Sequence, residues 1–228
     1  MKRAGKAIYD YSMIENGDRI LVGVSGGKDS LTLLRVFMIK QSTLPVDFEI
    51  VAAHVDFGIC PQHSMRLDGY FKSLGIKYHI EETMLPKKRN EKLSHCFWCS
   101  WNRRKILFTL AGEYNCRKVA LGHHLDDIVE TYLMNLFFHG EISAMPPKIS
   151  LFGGELTIIR PLAYIPEKAI REFADSAQLP YKKCICPFFD GSRRKYVEGL
   201  IKELEKKCPQ IRKNLFRSMK RIQYEYIV

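Results

Sequence analysis

A chain of 228 residues, 46% hydrophobic and 27% charged, can bury one sizeable core, which excludes disordered and collagen-like classes. Thirty-six Lys and Arg against 25 Asp and Glu leave a net charge of +11, which favours a polyanionic partner without identifying it. No apolar run approaches a membrane span, and the basic start Met1-Lys2-Arg3 runs into residues too polar for a secretory signal. No membrane association and a cytoplasmic location are therefore expected.

From residue 20 onward, short β-rich runs alternate with helical stretches, the pattern of parallel strands joined by crossover helices. Strands are expected over 20–24, 50–55, 77–81, 118–121 and 156–159. Helices are expected over 30–39, 65–74, 100–114, 126–138 and 167–177, the last bounded by Pro166 and Pro180. Two more, over 193–207 and 211–224, flank Cys208-Pro209 and carry strongly basic polar faces. The expected fold class is α/β, an open parallel five-stranded sheet with helices on both faces and a short C-terminal helical appendage. Residues 1–187 would form the α/β body and 188–228 the appendage. The connection 140–154, with its prolines and glycines, reads as a lid or substrate loop.

The apolar run Ile20-Leu21-Val22-Gly23-Val24 leads directly into Ser25-Gly26-Gly27-Lys28-Asp29-Ser30 and then Leu31-Thr32-Leu33-Leu34, giving strand, glycine turn and helix start. Gly26 and Gly27 can bring backbone N–H groups close to phosphate oxygens. Lys28 and the helix dipole add positive potential, and Ser25 and Ser30 add hydroxyls. A Walker A loop would need glycine at 22 and Ser or Thr at 29, where this chain has Val22 and Asp29. The string instead resembles the PP-loop of the ATP pyrophosphatases. That resemblance implies cleavage of ATP between its α and β phosphates, adenylation of a substrate oxygen, and catalytic roles for Lys28 and Asp29, the latter helping to hold Mg²⁺.

Two further segments fall at carboxyl ends of strands, where open α/β sheets bind ligands. His54-Val55-Asp56 closes the second strand, and Gly122-His123-His124-Leu125-Asp126-Asp127 closes the fourth and opens a helix. One of Asp126 and Asp127 can cap that helix while the other faces Mg²⁺ or the reacting oxygen, with Asp127 the catalytic candidate. His123, His124, Asp127 and Glu130 also allow a zinc or di-metal site. In the PP-loop resemblance the segments holding His54, Asp56 and Gly122 line the adenosine and the catalytic cleft. Arg160, at the end of the fifth strand, could bind a phosphate or a base, or could form a surface salt bridge.

Seven cysteines without a secretory signal make a disulfide framework a poor reading, and metal or sulfur chemistry a better one. Cys96/Cys99 and Cys184/Cys186 are paired in sequence and flanked by basic clusters, whereas Cys60, Cys116 and Cys208 stand alone as default buried thiols. Thiolates so close together can ligate one soft metal centre, and a four-cysteine structural zinc site is also open.

The PP-loop, Cys96-x-x-Cys99, Arg103-Arg104, Leu121-Gly122-His123-His124 with Asp126-Asp127, Ala144-Met145-Pro146-Pro147-Lys148, Ile159-Arg160-Pro161-Leu162 and Cys184 occur in this order. Together they resemble the tRNA 2-thiocytidine biosynthesis (TtcA) family. The resemblance implies that Cys96, Cys99 and Cys184 hold a four-iron four-sulfur cluster with one iron open to sulfur. It further implies that ATP adenylates the O2 of a tRNA cytosine before sulfur replaces it. The implied partners are tRNA, ATP and a sulfur donor such as a cysteine desulfurase or sulfide, with a homodimer left open. Relative to the family, about two helices' worth of flanking N-terminal sequence is expected to be missing or replaced. Two other readings stay open: a different PP-loop tRNA-modifying enzyme (a 2-thiouridine synthase or lysidine-type ligase) with zinc at the cysteines, and a non-catalytic ATP- and RNA-binding protein.

Overall fold

The computed structural model describes residues 2–58, 61–87, 95–182 and 192–226. In chain order the elements are α1 (Lys2–Asp10), β1 (Asp18–Gly23), α2 (Lys28–Gln41), β2 (Phe48–Asp56), α3 (Pro61–Leu74), β3 (Tyr78–Glu82) and α4 (His95–Glu113). Then follow β4 (Lys118–Ala120), α5 (Leu125–His139), β5 (Lys148–Leu151), β6 (Leu156–Ile159), α6 (Glu167–Ser176), α7 (Ser192–Lys207) and α8 (Ile211–Ser218). Short 3-10 turns occupy Phe152–Gly154 and Tyr224–Tyr226.

The six strands form one sheet in the order β3-β2-β1-β4-β6-β5. All neighbours run parallel except β5, which pairs antiparallel with β6. The expected five-stranded parallel sheet is thus corrected to six strands with an antiparallel edge. The added strand lies inside the 140–154 segment expected to be a lid. A strand of 4 residues is too short to show a period in sequence. What creates it is a reversal at Gly153 and Gly154, with φ of 65° and 102°, which lays Lys148 beside Ile159 and Leu151 beside Leu156.

Alternation along β1 sends Ile20 and Val22 into one core and Leu21 into the other, all three fully buried. On the first face α1, α2, α3 and α6 contribute Ala7, Leu33, Phe37, Phe71 and Ile170. On the second, α4 lays Leu107, Leu110 and Ala111 against Val51 and Val119. Each large apolar side chain so buried contributes roughly 1.5–3 kcal/mol, so burial on both faces holds β1 and β4 side by side. Helix α1 was not expected, because its nine residues are mostly polar. Its buried positions Ala4, Ala7 and Ile8 nonetheless form one stripe at helical spacing.

The C-terminal helices pack on α5. Leu125, Val129 and Leu133 share a third core with Val197 and Ile201 of α7, against which Ile211, Leu215 and Phe216 of α8 also lie. Arg212 of α8 pairs with Asp126 at 2.8 Å. The helix expected over 211–224 ends at Ser218, and its continuation is the separate 3-10 turn. Replacing the fully buried Ile201 by alanine should lower the unfolding free energy by roughly 2–5 kcal/mol, read by denaturant titration as one shifted transition. A separate early transition with an unmoved main one would show instead that α7 and α8 fold independently of the α/β body.

Candidate active site

Between β1 and α2 the chain turns sharply through Gly26, whose φ of 83° suits glycine, into Gly27, the extended N-cap of α2. Ser30 Oγ accepts the Ser25 N–H at 3.0 Å, donates to the Gly27 carbonyl at 3.1 Å and lies 3.1 Å from Ser25 Oγ. The two hydroxyls expected to meet phosphate therefore also staple the loop in shape. The first N–H groups of α2 lack intrahelical carbonyls and, with the positive end of the helix dipole, face the space beyond the strand ends.

Against this loop sits the turn that follows β4. A Cβ on Gly122 would lie 3.0 Å from Ser30 N and 3.1 Å from both Asp29 C and Ser30 Cα, all backbone atoms. A side chain there would crowd the loop backbone, which glycine avoids. The approach brings His124 Nε2 to 3.8 Å from Asp29 and 3.3 Å from Asp127. Lys28 Nζ lies 3.0 Å from Asp29 and 2.9 Å from Glu167, the first residue of α6. Burial would lower the Lys28 pKa, but Glu167 and Asp29 outweigh it and hold the amine charged.

The two aspartates differ in role. Asp126 accepts the Glu167 N–H at 2.7 Å and pairs with Arg212, so it caps α6 and anchors α8 rather than capping its own helix. The N-cap of α5 is His124, whose N–H donates to Asp127 at 3.0 Å. The other Asp127 oxygen meets Arg194 of α7 at 3.4 Å, and Arg194 also reaches Glu130 at 3.3 Å. Sequence reasoning read Glu167 only as a helix start and Arg194 only as one member of a basic cluster. Both act across the fold, where no local pattern marks them.

The adjacent histidines are driven apart. Burial pushes His124 down, yet Asp126, Asp127 and Asp29 together raise it above its ordinary value. Burial and the Arg160 charge push His123 down to about 4, so it is neutral. Arg160 Nε donates to His123 Nδ1 at 3.1 Å, which leaves the ring proton on Nε2. Arg160 is only 5% exposed and donates from Nη1 to the Pro146 carbonyl at 2.5 Å. The surface salt bridge is therefore corrected: Arg160 is a buried strut between the 146–148 segment and the β4–α5 turn, its pKa lowered to about 10 by burial. Burial pushes Glu130 up to about 7 against the pull of Arg194.

His54 and Asp56 stand at the carboxyl end of β2. His54 Nδ1 lies 2.7 Å from the Val24 carbonyl, and Asp56 accepts from the Ser64 hydroxyl and, at 2.8 Å, from the Gly58 N–H. Helix α4 is described from His95 onward, ahead of the start expected at residue 100, so Cys96 and Cys99 lie within it on one face rather than before it. Cys96 is exposed and Cys99 half-buried. Two thiols three residues apart on one helix face can ligate one soft metal centre. Cys184, the third expected ligand, and Cys186 lie outside the described residues, as does Cys60. Cys116 is a buried thiol with its pKa pushed to about 11 by burial. Among the described residues no group of three or more His, Cys, Asp or Glu is arranged to hold a metal ion.

The PP-loop domain family matches residues 2–184. Over 99% of its length the chain is 39% identical to a tRNA-cytidine(32) 2-sulfurtransferase of Geotalea uraniireducens, covering 92% of that protein. Over 96% of its length it is 42% identical to the same-named protein of Pseudomonas fluorescens, covering 82% of it. The chain belongs to the TtcA family of PP-loop proteins. In the solved structure of the U34-tRNA thiolase NcsA from Methanococcus maripaludis, which carries a [4Fe-4S] cluster, the fold matches with a TM-score of 0.81 at 27% identity. The match covers 100% of this chain and 80% of that one. In this TtcA-family protein the tight seat of Gly122 on the PP-loop fixes how the β4–α5 turn and the loop lie against each other.

Two outcomes follow for the TtcA-family site. Gly122→Ala crowds the turn against the PP-loop backbone, a strain of about 1–3 kcal/mol, and should lower AMP formation at least about tenfold and lower the unfolding midpoint by the few degrees that strain implies. For Glu130 the folded pKa lies above the ordinary carboxyl value, so the unfolded chain loses its proton first as pH rises. Stability should fall between the ordinary carboxyl pKa and about 7, and Glu130→Gln should remove that part of the decline in a denaturation series across pH.

Proposed function

We propose that this chain replaces the O2 of a tRNA cytidine, at position 32 as in its named relatives, with sulfur, at the expense of ATP cleaved to AMP and pyrophosphate. The observation that supports this most directly is the joined cluster of Lys28, Asp29, His124 and Asp127 at the carboxyl ends of β1 and β4. Cytidine is preferred over uridine because the cytidine-named relatives are 39% and 42% identical, against 27% for the uridine thiolase.

In this reading the pyrophosphate of ATP lies on the loop of Ser25, Gly26, Gly27 and Ser30, over the N-terminus of α2. Lys28, oriented by Glu167, neutralises the α–β bridging region as charge develops there. A magnesium ion held by Asp29 and Asp127 would share that charge. The cytosine O2 attacks the α-phosphorus and pyrophosphate leaves. Sulfide sulfur then attacks C2, and AMP departs with the former O2. Gly122 and Arg160 keep the turn against the loop, and His54 and Asp56 brace the nucleotide side from β2. His123, neutral with its proton on Nε2, is a hydrogen-bond donor beside the reacting groups.

Cys96, Cys99 and Cys184 would hold the four-iron four-sulfur cluster, which when bound supplies an open iron for the incoming sulfur. Sulfide, or a cysteine desulfurase delivering it, is the source that matches this chemistry. Residues 188–228 act as a basic appendage to the catalytic body, and the reaction runs in the cytoplasm alongside its tRNA.

The test is anaerobic incubation of iron- and sulfide-reconstituted protein with tRNA, ATP and sulfide, followed by nucleoside analysis. Thiocytidine and AMP should appear in equal amounts. Lys28→Met should lower both by at least about a hundredfold. Cys96→Ser and Cys99→Ser should remove the brown iron chromophore and the thionucleoside while ATP binding persists. AMP without any thionucleoside from the intact protein would leave activation standing and sink the sulfur step. One zinc and no iron after anaerobic purification would sink the cluster assignment.

A further inference from the structure

A pocket of about 330 Å³ lies on the side of the molecule where α5, the turn before α6 and the end of α8 meet. Its floor is apolar and aromatic, from Leu125, Tyr164 and Phe216, with the Tyr164 and Phe216 rings 5.6 Å apart and edge to face. Its rim is cationic, from Lys213, Arg217, Lys220 and Arg221. Lys213 and Arg217 lie one turn apart on one face of α8, and Lys220 and Arg221 follow just after its end. Arg212, on another face of α8, is neutralised by Asp126 and Glu205. Lys213, Arg217 and Arg221 form no ion pair among the described residues and are exposed. Lys220 stands 4.3 Å from the centroid of Tyr11 and 5.8 Å from that of Tyr164, so a cation already lies over two aromatic faces.

A surface with an aromatic floor and a cationic rim matches a nucleotide: apolar and aromatic contact for the base, phosphate oxygens for the cations. Its volume is at the lower end of small-ligand pockets, room for one base with its ribose. Leu125, which forms part of the floor, directly follows His124, whose ring lies 3.8 Å from Asp29. The pocket thus begins one residue along the chain from the catalytic cluster, and none of Lys28, Asp29, His124 and Asp127 lines it. A base seated here is a different base from the one being adenylated.

We infer that this pocket receives one unstacked nucleotide of the tRNA substrate, from the same single-stranded loop as the target cytidine, with the base packed against the edge-to-face pair Tyr164 and Phe216 and its phosphates against Lys213, Arg217 and Arg221. The inference rests on the tRNA thiolation reading for the identity of the RNA. Seating a second base holds the loop open and sets how far the target reaches into the cleft. It therefore governs which loops the enzyme accepts rather than the chemistry itself.

The test uses the reconstituted full chain and anticodon stem-loop RNAs in which 2-aminopurine replaces one loop nucleotide at a time, leaving the target cytidine intact. One non-target position should change fluorescence on binding, and an abasic residue there should weaken binding roughly tenfold to hundredfold. Arg217→Glu and Lys213→Glu, both at exposed positions, should raise KM for tRNA by about tenfold or more while kcat stays within about twofold. Tyr164→Leu should abolish the penalty of the abasic residue. Should that variant lose its folded unfolding transition, the charge reversals and the abasic scan decide alone. No responsive loop position overturns the inference, as do charge reversals that leave KM unchanged. Weaker binding on charge reversal with no position-specific response means phosphate contact only, which also overturns the nucleotide seat. Failure of the intact protein to form thionucleoside sinks the thiolation reading, while fluorescence and binding still decide the pocket.

Discussion

The approach of Gly122 to the backbone of Asp29 and Ser30, within about 3 Å of where a side chain would begin, is the constraint on which the site depends. It joins two turns that lie far apart in sequence at the ends of neighbouring parallel strands. Once they touch, Asp29, His124 and Asp127 share one small volume, and Lys28 is turned toward Glu167. Loss of this contact would leave every functional side chain in place on its own element but not aimed at the others.

Electrostatic contrast follows from the same packing. His124 sits among three carboxylates and is held toward its charged form, while His123, its neighbour in sequence, faces Arg160 and is held neutral. Neighbouring imidazoles are thus shifted in opposite directions because consecutive residues at the start of a helix point to different surroundings. Burial supplies the low dielectric that makes both effects large. The strut from Arg160 to the Pro146 carbonyl extends the arrangement to the antiparallel edge of the sheet.

Much of this was readable before the structure. The PP-loop is encoded in consecutive residues, and its hydrogen bonds run among Ser25, Gly27 and Ser30, so a six-residue string carries its own geometry. The parallel order of the central strands likewise follows from buried apolar runs separated by helices. What escaped was tertiary. Strand β5 exists because of a glycine reversal and a partner strand, not because of a period. Helix α1 is held by Ala4, Ala7 and Ile8, a stripe at helical spacing but too short to stand out among its charged neighbours. The division between Asp126 and Asp127 could not be decided locally, because it depends on the α6 backbone and on Arg212 and Arg194 from helices much later in the chain.

That dependence has a consequence for how the protein is made. Arg194 meets Asp127 across 67 residues of chain, and Tyr164 meets Asp10 across 154. During synthesis the PP-loop, the sheet and the first turn of α5 emerge well before the segment that clamps them. A nascent chain halted before α7 has its phosphate loop but leaves Leu125, Val129 and Leu133 uncovered and Asp126 without its arginine. Contacts of such long range close late, so residues translated later complete the first site begun.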